Sequence, residues 1–157
     1  GLMPKNRGVW EVDRGQYDLH TDVFGACGGA AAYRRSVWEQ LGGFDERLFM
    51  YLEDVDLAWR ARQAGWTCVF VPEARVYHQL SATGGGVTAS YYVGRNMVML
   101  HRWRLQAADW RHHGAAILAA HLRVVWDALR AWRGEAARAR LAGVWDGLRG
   151  VTGKRKG

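Results

Sequence analysis

Three carboxylates lie within four consecutive positions near the middle of the chain: Glu53, Asp54 and Asp56. A carboxylate within hydrogen-bond reach of a hydroxyl can accept its proton and act as a general base. Acids in the first turn of a helix are equally well explained by the helix dipole, which stabilises them without any further role. Composition and spacing by themselves favour this second interpretation.

The residues that precede the acids indicate a site for a sugar. A Gly-Gly-Phe-Asp turn occupies residues 42–45, and Phe49 and Tyr51 follow before the first acid. Aromatic side chains combine a large apolar face with a defined geometry, and beside a carboxylate they suit a sugar-binding cleft. This setting weakens the helix-dipole interpretation of the acids.

A helix from about Glu53 to Gln63 must position these acids. Leu52, Val55 and Trp59 recur at helical spacing, and Gly65 supplies the stop.

Shorter elements are predicted on either side of that helix. The small residues of 25–32 predict a buried strand that lines a pocket, because small side chains let backbones approach closely. Ser36 and Glu39 form a capping box for a helix that Gly42 ends. Residues 9–12 and 66–71 predict further strands.

Beyond residue 90 the pattern becomes helical. An apolar stripe at +4, +3, +4 and +3 spacing predicts an amphipathic helix: Leu118, Leu122, Val125, Leu129 and Trp132. Another helix is predicted from Glu135 to Leu148. The tail that follows is rich in Gly, Lys and Arg and is predicted to be disordered.

The net charge of +7 is concentrated in the last third of the chain. Residues 101–157 hold 12 Lys and Arg against 4 Asp and Glu, and five of the nine Trp residues. Such a surface fits anionic lipid or nucleic acid. No RNP, zinc or helix-turn-helix pattern supports nucleic acid. A membrane-surface helix and an ordinary helix that covers the sheet both stay open.

No stretch reaches the roughly 20 apolar residues of a membrane span, so no transmembrane helix is predicted.

Several spaced blocks of residues 22–100 resemble the second half of family 2 glycosyltransferases. The nearest resemblance is to bacterial rhamnosyltransferase-like and galactofuranosyltransferase-like members. The blocks are 25–34, 42–46, 49–60, Gly65, 71–78 and the pair Arg95-Asn96. The resemblance implies an α/β fold, namely the acceptor-side half of a GT-A (nucleotide-diphospho-sugar transferase) fold followed by C-terminal amphipathic helices.

The resemblance also implies roles for individual residues. Asp54 matches the general base of an inverting transfer, and Glu53 would support it or contact acceptor hydroxyls. His78 matches a ligand of the divalent metal, Mn²⁺ or Mg²⁺, which neutralises the departing diphosphate. Asp45 and Tyr51 are expected to contact the acceptor, and Arg95 is expected to contact either the acceptor or phosphate.

The nucleotide-binding half and its Asp-x-Asp metal motif are absent from residues 1–24. The expected division is therefore a C-terminal part of the catalytic domain at 1–100, a basic Trp-rich helical extension at 101–150, and a disordered tail at 151–157. We expect this chain by itself to lack most of the donor site and to show little or no transfer.

The expected function is inverting, metal-dependent transfer of a sugar from a nucleotide-sugar donor to a lipid-linked or polysaccharide acceptor in cell-wall or surface-polysaccharide assembly. The expected location is the cytoplasm at the inner face of the bacterial plasma membrane, with possible membrane contact through 101–150 and no nucleic-acid partner. The alternative is a non-enzymatic basic module that binds membrane or polyanion, in which the acids merely cap a helix.

Overall fold

A computed structural model of the chain describes residues 4–77 and 86–155, which belong to two compact units. The α/β unit consists of residues 4–45 and 53–77. The helical unit consists of residues 46–52 and 86–155.

The α/β unit pairs two short strands and holds two helices. These are β1 (Asp22–Val23), α1 (Arg35–Leu41), α2 (Glu53–Gln63) and β2 (Cys68–Val69). The strands are antiparallel, with Asp22 opposite Val69 and Val23 opposite Cys68. Helix α2 has the predicted bounds, and Gly65 lies just beyond it at a φ of 85°.

Helix α1 ends as predicted but begins differently. The Gly42 N–H donates to Trp38 O at 2.9 Å, and its φ of 74° makes it a left-handed cap. At the other end Arg34 is the N-cap and makes no side-chain cap bond, so the predicted Ser36 capping box is wrong. Glu39 instead accepts a hydrogen bond from Arg35 Nε at 2.7 Å.

The buried strand predicted over residues 25–32 is wrong. Regular strand stops at Val23, and residues 27–32 are exposed. Close backbone approach does occur at Gly25, where a Cβ would lie 2.2 Å from the Ala58 Cβ in α2. The small residues therefore reflect a tight loop against a helix. The strand predicted at 9–12 is also wrong, and that at 66–71 shrinks to β2.

The helical unit contains a 3-10 turn (Glu46–Leu48), α3 (Gly86–Arg104), α4 (Ala107–Arg130) and α5 (Glu135–Arg149). Helices α3 and α5 pack with a very close approach of their backbones. A Cβ at Gly143 would lie 2.0 Å from Tyr91 O, and one at Gly147 would lie 2.6 Å from Arg95 O. Glycine at these positions is what permits the approach.

Helix α4 buries only a narrow face within its unit. Ile117 and Ala128 are buried, whereas Leu118, Leu122 and Leu129 are each at least half exposed. The predicted apolar stripe thus lies beside the buried face and faces outward. Among the described residues, no helix is long and apolar enough to cross a bilayer.

Residues 151–155, which fall in the predicted disordered tail, make specific hydrogen bonds in the helical unit. Gly153 N–H donates to Arg47 O at 2.7 Å, and Arg155 N–H donates to the Tyr92 hydroxyl oxygen at 2.8 Å.

Candidate active site

Asp54 lies in the first turn of α2, with both carboxylate oxygens oriented by backbone N–H groups. Oδ2 accepts from Gly28 N at 2.9 Å, and Oδ1 accepts from Val55 N at 2.8 Å. Asp54 is partly buried and Gly28 is exposed, so the carboxylate is held at the edge of solvent. Two charge-assisted bonds fix its direction and leave further acceptor positions on its oxygens.

Glu53 and Tyr33 add two unusual titratable groups to this part of the α/β unit. Burial raises the pKa of Glu53, and the neighbouring Asp54 charge raises it further, against a lowering backbone hydrogen bond. Burial also raises the pKa of Tyr33, followed by the charge of Asp54. Among the described residues, Glu53 Oε2 and the Tyr33 hydroxyl are buried without a hydrogen-bond partner. Perturbed, under-bonded groups of this kind are concentrated at functional sites.

Aromatic residues surround Tyr33. Its ring centroid lies 5.8 Å from that of Trp38 and 6.5 Å from that of Phe44, and the last two rings meet edge to face at 5.1 Å. Of the aromatic residues expected beside the acids, Phe44 belongs to this cluster, whereas Phe49 and Tyr51 belong to the helical unit.

Asp56 has a different position from Asp54 although it lies only two residues away. It is fully buried, and its Oδ2 accepts from Arg60 Nε at 2.7 Å. Arg60 in turn donates to Leu41 O at 2.6 Å and to Gly43 O at 2.7 Å. The Asp-Val-Asp sequence at residues 54–56 therefore does not bring two carboxylates into one site.

The three predicted acceptor residues are divided between the units. Asp45 is partly buried in the α/β unit, at the turn after Gly43. Tyr51 belongs to the helical unit, packs against a cluster that includes Tyr91, and has a φ of 64°. Arg95 is fully buried in the helical unit and donates to backbone carbonyls. A contact of these residues with acceptor stays a prediction.

His78, the predicted metal ligand, lies outside the described residues. Within residues 4–77 and 86–155, no group of three or more His, Cys, Asp or Glu side chains could hold a metal ion. The described side chains therefore do not by themselves fit a divalent-metal site.

Two residues of the site were not predicted from the sequence as site residues. Gly28 contributes its N–H to Asp54 across 26 positions of the chain, and Tyr33 shares its electrostatic surroundings. Both belong to the block 25–34, so the small-residue run was the available signal. Its spacing does not say which N–H meets the acid.

Comparison with protein families gives a match over more than half of the chain. The family model described as "Glycosyltransferase like family 2" matches residues 9–95, which include Asp54 and Arg95.

Three curated relatives match over 53 to 104 residues. The N-acetylglucosaminyl-diphospho-decaprenol L-rhamnosyltransferase of Mycobacterium tuberculosis is 38% identical over 104 residues, covering 62% of this chain and 34% of the relative. The O-antigen chain rhamnosyltransferase WbaN of Salmonella anatum is 47% identical over 53 residues, covering 34% and 16%. A probable glucomannan 4-beta-mannosyltransferase 6 of rice is 40% identical over 62 residues, covering 40% and 10%.

The chain spans about a third of the length of the Mycobacterium relative. No solved structure gives a significant match.

Proposed function

Because the chain belongs to the glycosyltransferase-like family 2, we propose that it forms the acceptor-side part of an inverting rhamnosyltransferase-like enzyme. Family membership implies a GT-A nucleotide-sugar transferase fold, of which residues 1–100 would supply the acceptor side. The donor is a nucleotide sugar. The Mycobacterium relative is named for a lipid-linked sugar, and a lipid-linked or polysaccharide acceptor in cell-wall or surface-polysaccharide assembly fits this chain.

The observation that carries the proposal is the orientation of Asp54. Two backbone N–H groups, from Gly28 and Val55, hold the carboxylate at the solvent edge of α2. In the proposed reaction Asp54 accepts the proton of the acceptor hydroxyl while that oxygen bonds to the anomeric carbon. The bond from this carbon to the diphosphate oxygen breaks on the opposite face, so the configuration inverts.

Glu53 is the supporting acid in this proposal. Burial, and then the Asp54 charge, raises the pKa of Glu53, so this carboxyl holds its proton more firmly than that of an exposed glutamic acid. Glu53 would support Asp54 or contact acceptor hydroxyls.

A divalent metal, Mn²⁺ or Mg²⁺, would supply charge neutralisation at the leaving diphosphate. His78 is the proposed ligand from this chain. The described residues hold no further ligand set, so no step is assigned to the metal.

The first experiment replaces Asp54 by Asn in the intact enzyme. Loss of a general base lowers turnover by roughly 10²–10⁴-fold, and acceptor binding should be retained. Glu39→Gln is the matched control, since it makes the same acid-to-amide change at an exposed ion pair of α1. Wild-type turnover in Asp54→Asn would refute the assignment.

We further propose that residues 1–157 do not bind the donor nucleotide tightly on their own. The support is the partial coverage of the relatives and the lack of an Asp-x-Asp motif in residues 1–24. Calorimetric titration of the chain with nucleoside diphosphate and Mn²⁺ should give little heat. Tight binding would place the donor site within this chain.

The exposed stripe of α4 favours a second function, contact with a membrane surface. Trp126 on α4 is 60% exposed, Trp132 in the turn after α4 is 54% exposed, and Arg123 and Arg130 are exposed on α4. Interfacial Trp together with Arg is the combination that binds anionic headgroups. We propose that this helix meets the inner face of the bacterial plasma membrane, where a lipid-linked acceptor would be presented.

Co-sedimentation with vesicles tests this contact. Binding should be strong to anionic vesicles, weak to neutral ones, and reduced by Trp126→Ser. Leu19→Ser, at a 93% exposed position of the α/β unit, is the control and should bind as the wild type does. Equal binding to both vesicle types, or none to either, would contradict the membrane contact. Retention of a polyanion such as heparin without vesicle binding would favour the non-enzymatic alternative.

A further inference from the structure

Within the enzyme proposed above, we propose that Arg95 and Asn96 are positioning residues for the catalytic acids. They hold the backbone segment 48–52, called here the entry segment, which leads by one peptide bond into Glu53 and Asp54. Neither side chain is proposed to touch substrate.

Asn96 gathers three carbonyl groups of the entry segment around one nitrogen. Its Nδ2 donates to Leu48 O at 3.1 Å, Met50 O at 2.9 Å and Tyr51 O at 2.7 Å. Asn96 is fully buried. Buried donors and acceptors of this kind are expensive to leave unpaired, so the segment is strongly tied to this amide.

Arg95 fixes the orientation of that amide and adds bonds of its own. Its Nε donates to Asn96 Oδ1 at 2.9 Å, which forces the Nδ2 toward the entry segment. Its Nη2 donates to Leu48 O at 2.7 Å, and its Nη1 donates to Gly153 O at 2.6 Å. Arg95 and Asn96 therefore act together, because both side chains donate hydrogen bonds to the carbonyl group of Leu48 in the entry segment.

The entry segment has a backbone that needs such support. Phe49, Tyr51 and Leu52 have φ values of 64°, 64° and 68°. A non-glycine residue in the left-handed region is disfavoured, because its Cβ comes too close to the following carbonyl oxygen. Such conformations persist only where the surroundings over-determine them, and they cluster at functional sites. The hydrogen bonds from Asn96 and Arg95 stabilise the entry segment in this conformation.

Direct involvement of Arg95 in acceptor binding predicts a different result from positioning. Its guanidinium is fully buried among carbonyls, with the Tyr92 ring centroid 4.8 Å from its central carbon. Its removal should therefore alter the rate of the chemical step more than the affinity for acceptor.

Asn96→Ala is the first variant, and kinetics with acceptor are the first measurement. Small misplacement of a catalytic group lowers turnover by up to about 10²-fold, so kcat should fall by roughly 10–100-fold with KM changed less than about twofold. Arg95→Lys keeps the charge but loses the Nε bond, and it should shift kcat in the same direction by less. It also serves if Asn96→Ala does not fold.

His121→Phe is the matched control, because it removes one partly buried hydrogen bond to α3, between His121 Nε2 and His101 Nδ1 at 2.8 Å, and leaves the hydrogen bonds of Arg95 and Asn96 described above in place. Its kcat should stay at the wild-type level. A kcat of folded Asn96→Ala equal to that of the wild type would overturn the positioning role. So would a loss of activity in Asn96→Ala and Arg95→Lys that is only proportional to their loss of stability.

Hydrogen exchange separates this inference from the proposed reaction. Peptides that cover residues 48–55 should exchange faster in Asn96→Ala than in His121→Phe, and this comparison needs no transfer activity. Unchanged exchange there would overturn the positioning role even if Asp54→Asn abolishes turnover. Wild-type turnover in Asp54→Asn would refute the role of Asp54 as general base. Accelerated exchange in Asn96→Ala would still show that Asn96 stabilises the entry segment.

Discussion

Each unit has an arginine that donates to backbone carbonyls, Arg60 partly buried and Arg95 fully buried, and the two charges are compensated differently. In the α/β unit Arg60 reaches the carbonyls of Leu41 and Gly43 while it pairs with the fully buried Asp56. In the helical unit Arg95 reaches carbonyls from the entry segment and Gly153, with the amide of Asn96 as its side-chain acceptor.

The difference lies in where the compensating groups come from. Asp56 is four residues before Arg60 on one helix, so the negative charge that compensates Arg60 comes from the same helix. Among the described residues, Arg95 donates to neutral carbonyl and amide oxygens and lies against the rings of Tyr91 and Tyr92, and the carbonyls lie more than 45 positions away in the chain. The turn at residues 41–43 is therefore stabilised by an ion pair within one helix. The conformation of the entry segment depends instead on hydrogen bonds from Arg95, in a part of the helical unit that is distant in the chain.

The largest expected effect is on the ion-paired arginine. Asp56→Ala leaves the Arg60 charge largely buried without its carboxylate and should lower the free energy of unfolding by about 3–5 kcal/mol. Urea unfolding measures this loss. In the double variant Asp56→Ala/Arg60→Met the loss should be smaller than the sum of the single losses. Additive losses would mean that the two side chains do not stabilise each other.

Arg95→Met should have a smaller effect on stability, about 1–3 kcal/mol, because it removes hydrogen bonds to neutral carbonyls and leaves no buried countercharge behind. Urea unfolding under the same conditions gives the comparison. A loss as large as that of Asp56→Ala would show that Arg95 is balanced by a formal charge, and the contrast between the units would fail.

Gly42→Ala tests the turn that Arg60 holds. Gly42 lies between the two carbonyls that Arg60 reaches, and at a φ of 74° a side chain is disfavoured by about 1 kcal/mol or slightly more. Thermal unfolding should show the loss. Gly114→Ala, within α4, is the control: the added Cβ meets only Trp110 at 3.4 Å, and alanine favours a helix by up to about 1 kcal/mol. Equal destabilisation of both variants would exclude the left-handed cap as the cause.

The smallest effect is expected at Glu53, whose burial raises its pKa. The folded chain then binds this proton more readily than the unfolded chain, so the contribution of Glu53 to stability is present below the usual pKa of about 4.5 and is lost as pH rises through the higher folded value. Glu53→Gln should therefore flatten this part of the pH profile and raise Tm slightly at pH 7. A Tm at pH 7 below that of the wild type would mean that the charged carboxylate is stabilising.

The local elements were predictable from the sequence because their causes are local. Helix α2 has the bounds that its apolar spacing and Gly65 predict, and Gly42 caps α1 as its neighbours indicate. Helical hydrogen bonds join residues four apart, so a short window of sequence contains both partners. The acids were placed correctly in a first turn for the same reason, and the blocks that resemble the family also occur in order along the chain.

Strands and burial were not predictable in the same way. The run 25–32 reads as a strand, yet its backbone finds no partner strand and loops against Ala58, while the apolar stripe of α4 remains exposed. A strand needs a partner from elsewhere in the chain, and a helix face is buried only if another element covers it.

The sequence by itself determined where the acids lie, which helix carries them and to which family the chain belongs. Only the tertiary structure decided that Asp54 meets the Gly28 N–H at the solvent edge while Asp56 is buried against Arg60. It also decided that Arg95 lies among carbonyls. The physical reason is that residue types and local spacing set the chemistry a side chain can offer, whereas the Gly28 N–H that meets Asp54 and the carbonyls that meet Arg95 lie 26 to 58 positions away.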